Sequence, residues 1–253
     1  MTFDFLPNEV AAFVLILARV GALVMLLPAL GEENVSPRFR LTVAVMLALV
    51  FWPFARPLYA VDAGDAAALV GLALSEIAIG LALGMVGRLV MSSLSVAGNV
   101  IANQLGLGFV MTVDPTQGQQ SAIVGTFLTL VGVTLIFATN LHHLAIGAIA
   151  ASYDAFRPGA FPGTGDAARL AVGAVEAAFR IGVQLSAPFL VFGLIFNLGL
   201  GVLSRLMPQL QVFFIAAPLS LIAGFALLAL VIGVLMDVFI GDVAATLRML
   251  TGG

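Results

Sequence analysis

Long apolar runs restrict what this chain can fold into more than any other feature. Five or six are legible, at roughly Val10–Leu30, Leu41–Tyr59, Ala66–Met91, Ala122–Ala151, Ile181–Leu203 and Val212–Ile240. About 20 residues of helix cross the hydrocarbon core of a bilayer, and two of the runs are nearer to about 30, long for a simple span. Backbone groups in lipid must be satisfied within their own segment, which makes such runs helices. Composition agrees, with 62% of the residues hydrophobic and 9% charged. A soluble domain carries about 25% charged residues, so these charges are too few to cover a water-facing surface. The chain reads as all-α and membrane-associated.

Turn chemistry separates the runs. The first link is Gly31–Arg38, where Pro37 and two acids are expected to stop a helix, and Trp52-Pro-Phe-Ala-Arg-Pro57 closes the second run. Arg157–Asp166 is rich in Pro and Gly, and Arg205-Leu-Met-Pro-Gln209 divides the last two runs. No link is long enough for a soluble domain, so residues 1–253 read as one domain. The N-terminal stretch holds Asp4 and Glu9 but no basic residue before Arg19, unlike a signal peptide, and the first run is expected to belong to the mature protein. If six runs span, Arg38, Arg40, Arg88 and Arg205 fall on one side. Arg56, Arg157, Arg169, Arg180 and Arg248 fall on the other. Four against five gives no orientation. Either one run does not span, or assembly sets the final position of the helices.

Several chemistries find no residues to carry them. There is no Cys, hence no disulfide, thiolate metal site or cysteine nucleophile. The net charge of −3 is small and spread out, which gives nucleic acid no footprint. Nucleophile-elbow, phosphate-loop and His-Glu-x-x-His motifs do not occur. Tyr153-Asp154 and Gly163-Thr-Gly-Asp166 imitate intramembrane aspartyl protease motifs, but both flank one short link instead of lying on two facing helices. His142 and His143 point about 100° apart on a helix and have no third His to complete a metal site. The expectation is a protein that is not an enzyme and has no cofactor.

Charges inside apolar runs are costly and face a bundle interior or a wet cavity. Arg19, Glu76, Arg88, Glu176, Arg180 and Asp237 are in this position. Glu176 and Arg180 stand four apart in the favourable order for a helical ion pair, so they read as a structural pair. Glu76 has no base at a neighbouring helical position and reads as a polar contact to another helix, with proton relay as the alternative. Gly80 and Gly84 are spaced for close helix approach. Between runs, Gly98–Ser121 carries one charge, Asp114, among many amides and glycines, around an apolar centre at Phe109–Val113. Irregular backbone at membrane depth occurs only where it is buried in protein or lines a water-filled cavity. A solvated connecting loop is the plainer alternative.

Taken in order, the landmarks resemble the FliR family of the bacterial flagellar export gate and its injectisome counterpart, the SctT family. They are Arg19-Val-Gly21, Pro28-x-x-Gly31, Val35-Ser-Pro-x-x-Arg40, Glu76-x3-Gly80-x3-Gly84, Ala97-Gly98, Gln104-x-Gly106 and Asp114-Pro115. His142-His143, Asn197 with Gly201, and Arg205-x-x-Pro-Gln209 with Phe213 and Pro218 follow. Gln211 departs from the Asn frequent there. The resemblance implies bent hydrophobic helical hairpins, not a simple transmembrane bundle, in a gate completed with FliP and FliQ and neighboured by FlhB. It implies an inner-membrane location in the flagellar basal body and unfolded export substrates. It makes the stretch from Gly106 to Gln120 a channel plug, with Gly106, Gly108, Asp114 and Pro115 framing Phe109, Val110 and Met111. A mobile apolar constriction is a physically sound seal against ions. The alternatives are an injectisome gate subunit or a proton-coupled secondary transporter using Glu76 or Asp237. A transporter would show internal repeats, and none is evident.

Overall fold

The computed structural model describes residues 5–28, 30–31, 35–60, 62–107, 122–159, 164–207 and 212–251. Helices make up almost all of them, and no strand occurs among the described residues. Helix α1 spans Phe5–Val24 and α2 spans Pro37–Ala55, followed by a single 3-10 turn over Arg56–Leu58. Then come α3 (Ala66–Gln104), α4 (Ala122–Ala138), α5 (Leu141–Ala155), α6 (Thr164–Leu206) and α7 (Val212–Thr251). Five helices are long and apolar enough to cross a membrane, or six if the bent pair α4–α5 counts as one span. The protein is a helical membrane protein.

Helix ends follow local chemistry. Pro37 does not end a helix but begins one: it occupies the first turn of α2, and the Ser36 hydroxyl accepts the Phe39 amide at 3.3 Å as N-cap. The apolar run beginning at Ala122 is broken at Thr139–Asn140, where Asn140 takes φ 60° and the two helical pieces bend by 77°. α3 does not stop with its apolar run at Met91 but continues through Ser92–Gln104. Its end is a Schellman cap. The Leu107 amide donates to the Ala102 carbonyl at 3.0 Å, the Gly106 amide donates to the Asn103 carbonyl at 3.1 Å, and Gly106 has φ 82°. The irregular stretch therefore begins near Leu105, not at Gly98.

Packing groups the chain into two compact units, neither continuous in sequence. The first comprises Met1–Leu89, Ile136–Val175 and Val243–Gly253; the second comprises Val90–Leu135 and Glu176–Asp242. In the first, α3 lies on α1 through glycines. A Cβ on Gly80 would stand 2.6 Å from the Arg19 carbonyl oxygen, and one on Gly87 would stand 2.6 Å from Pro28 Cδ. Gly84 meets Leu26 in the same way, at 2.8 Å. In the second unit α3 crosses α4 backbone to backbone where Gly98 meets Gly125. The Ser220 hydroxyl donates to the Leu105 carbonyl at 3.1 Å, tying α7 to the end of α3.

Candidate functional site

The most concentrated chemistry among the described residues lies inside the first unit. Arg19 and Glu76 are both fully buried. α1 carries Arg19 on its core face with Ile16, Val20 and Leu23, and α3 carries Glu76 one helical turn before Gly80. Because Gly80 lets the α1 backbone approach, the two side chains meet. Arg19 Nε donates to Glu76 Oε2, and Arg19 Nη2 donates to Glu76 Oε1 at 3.1 Å, a two-pronged pairing. The remaining nitrogen, Nη1, donates to the carbonyl oxygens of Ser152 at 3.0 Å and Phe156 at 2.9 Å. These belong to the last turn and cap of α5, where unpaired carbonyls favour a cation. The Tyr153 ring covers the guanidinium, with its centroid 4.3 Å from Arg19 Cζ. Tyr59 stacks edge-on to Tyr153 at 6.5 Å.

This arrangement ties three helices at a buried charged point. Both Glu76 oxygens are engaged by one guanidinium, so its chemistry is that of a tie, not of an acid facing a passage. The sequence marked Glu76 as a contact to another helix but left the partner open. It is Arg19, 57 residues away. Nearer the chain start, Arg56 holds Glu9 with bonds of 2.8 and 2.6 Å in a half-exposed pair.

Other predicted site residues fall elsewhere. Glu176 and Arg180 lie on an exposed face of α6, and no ion pair joins them; Arg180 approaches Asp242 of α7 instead, at 4.0 Å. The spacing was right for a pair, but exposure lets Arg180 reach across to a neighbouring helix. Asp237 is exposed on α7. The rings of His142 and His143 lie tilted against each other, centroids 4.2 Å apart, at the α4–α5 break, and no cluster with metal-binding geometry occurs among the described residues. Of the plug residues, Gly106 is the α3 cap just described. Gly108, Phe109, Val110, Met111, Asp114 and Pro115 lie outside the described residues.

Comparison with known proteins identifies this architecture. Residues 10–245 match the family described as bacterial export proteins, family 1. The chain belongs to that family. Its relatives in the export-protein family include the flagellar biosynthetic protein FliR of Caulobacter vibrioides, 43% identical over 222 residues, which is 88% of each chain. FliR of Escherichia coli is 31% identical over 213 residues, 84% of this chain and 81% of the relative. The Yop proteins translocation protein T of Yersinia pestis is 27% identical over 225 residues, 87% and 85% of the two chains. The FliR/SctT resemblance read from the sequence is thus the family of the chain, and its setting is flagellar biosynthesis and protein export. The family match contains Arg19, Glu76, Gly106 and the whole stretch after it.

Proposed function

We propose that this chain is a structural, channel-forming subunit of the flagellar type III export gate and carries no catalytic activity. It assembles with FliP and FliQ in the bacterial inner membrane, within the flagellar basal body, with FlhB as neighbour. The gate passes unfolded flagellar proteins. The similarity to a flagellar relative, 43% over 88% of both chains, carries this reading. The lower identity of 27% to the Yersinia protein favours the flagellar over the injectisome system. Helix lengths support a role beyond simple spanning. α3, α6 and α7 have 39, 43 and 40 residues. At about 1.5 Å per residue each is about 60 Å long, twice a hydrocarbon core of about 30 Å. In this reading the residues after Gly106 form the plug.

The test is replacement in the organism that encodes the chain. Deleting the gene should abolish secretion of flagellar subunits and motility, and a tagged copy should restore both and co-purify with FliP and FliQ. Normal secretion in the deletion strain, or a functional tagged copy that purifies without either protein, would overturn the proposal.

A further inference from the structure

Helix α3 changes character along its exposed face. In its first part the large exposed side chains are Val70, Leu74, Ile77, Leu81 and Met85, as expected against lipid or an apolar partner. From Arg88 to the end of the helix every exposed position is polar: Arg88, Ser95, Asn99 and Asn103. Steps of seven, four and four residues keep them on one face. Leu94, Ala97, Ile101 and Ala102 are fully buried away from that face, together with Ser93, whose hydroxyl donates to the Val90 carbonyl at 2.6 Å. Ser95, Asn99 and Asn103 have no side-chain hydrogen bond to any described residue.

Polarity is not general to this end of the second unit. Gln104 packs over Gly193 of α6, where a Cβ would collide with its amide, and Leu105 fills the space above Gly224 of α7. The large exposed side chains nearby on α6 and α7 are instead apolar, with Leu194, Ile195 and Leu198 on one and Ile222, Phe225 and Leu230 on the other. Asn197, also exposed on α6, donates its amide back to the Gly193 carbonyl at 2.8 Å. Free amides against lipid are expensive, so non-apolar groups at membrane depth mark either a partner or water.

We infer that the Ser95–Asn99–Asn103 face of α3 lines a water-filled passage and forms part of the wall along which an unfolded polypeptide moves. This rests on the export-gate reading. Hydroxyl and amide groups offer interchangeable donors and acceptors to water and to peptide groups of any sequence. Carrying no charge, they hold no particular side chain. The three residues extend over about 12 Å of helix axis, and the face ends at the Gly106 cap. A polar seam bonded to a neighbouring subunit's helix is the rival occupancy.

The chain contains no Cys, so single thiols are clean reporters. Ser95→Cys, Asn99→Cys, Asn103→Cys, Leu81→Cys and Met85→Cys are placed in the full chain within the assembled gate of secreting cells. One readout is reaction with a small water-soluble methanethiosulfonate. The other is disulfide formation to a Cys-bearing flagellar substrate stalled by a folded fusion domain. Thiols at the three polar positions should react about tenfold faster or more than those at Leu81 and Met85, because only hydrated thiols ionise and react readily. They should also crosslink to the stalled substrate. If the gate secretes but the three thiols react as slowly as the two controls, a partner seals the stripe; the inference is wrong while the export-gate reading stands. Fast reaction without substrate crosslinks overturns the wall assignment. If the chain is absent from the secreting complex, the export-gate reading fails and the inference falls with it.

Discussion

Arg19 and Glu76 form a centre whose members depend on each other. Each is fully buried, so removing one leaves the other as an unpaired charge without water. Such a loss costs about 3–5 kcal/mol, whereas replacing both partners by apolar residues of similar volume is often close to neutral. Arg19→Ala and Glu76→Ala should therefore each sharply lower the yield and thermal midpoint of the purified gate. Arg19→Met with Glu76→Leu should recover most of the loss. Equal damage from the double variant would mean that the centre does more than balance charge. Glu176 and Arg180 provide the contrast, since both are exposed and unpaired with each other in the chain. A double-mutant cycle on that pair should give no measurable coupling, while Arg180 and Asp242 should show a small one that salt removes. Sequence spacing reads only pairs within one helix. The 57-residue separation of Arg19 and Glu76 is closed by tertiary packing, and local spacing gives no sign of it.

The helices themselves were legible because a bilayer-length apolar run has few other folds, and Gly80 and Gly84 announced a close approach that the structure places against α1. Less legible were the ends. Small polar residues such as Ser92, Ser93, Ser95, Asn99 and Asn103 lower hydropathy without stopping a helix, which is why α3 outlasts its apolar run. Likewise α6 begins at Thr164, well before the apolar run at Ile181. Close approach makes the glycines unequal. Gly80→Ala puts a methyl carbon 2.6 Å from the Arg19 carbonyl oxygen and should loosen α1 from α3. Gly71→Ala in the same helix meets nothing within 4 Å and should be neutral or stabilising, by at most about 1 kcal/mol from helix propensity. Gly106 differs again: space around it is open, with Ser220 Oγ 3.9 Å from a Cβ, but its φ of 82° is left-handed. Gly106→Ala should cost about 1–2 kcal/mol for that conformation alone, and Gly106→Asn less. Thermal midpoints of the purified complex, compared across the four variants, check the ranking.

As a whole, the chain exposes far more large apolar side chains than a free-standing protein needs. Leu230 is 80% exposed, Met249 75% and Leu206 73%, and the exposed faces of α2, α6 and α7 are lined with others. Expressed without FliP and FliQ, it should give heterogeneous particles in detergent, and sizing should sharpen when the three are made together. A monodisperse, heat-stable monomer alone would count against the gate. Seal and wall are separate duties within such a gate, and the plug proposal predicts that they come apart. The stretch after Gly106 is uncharged to Asp114, rich in Gly and amide, and apolar at Phe109–Val113, so it suits a seal that yields to a passing chain. The helices and the Arg19–Glu76 tie, which hold the first unit together, lie outside that stretch. Removing Phe109–Met111 should therefore leave the gate assembled with FliP and FliQ and still able to secrete. The inner membrane should become leaky to ions and small solutes, read as growth arrest in high external salt and as loss of membrane potential. Assembly at normal yield with a tight membrane, together with thiols at Gly108 and Met111 that never meet a stalled substrate, would reduce the segment to a connecting loop.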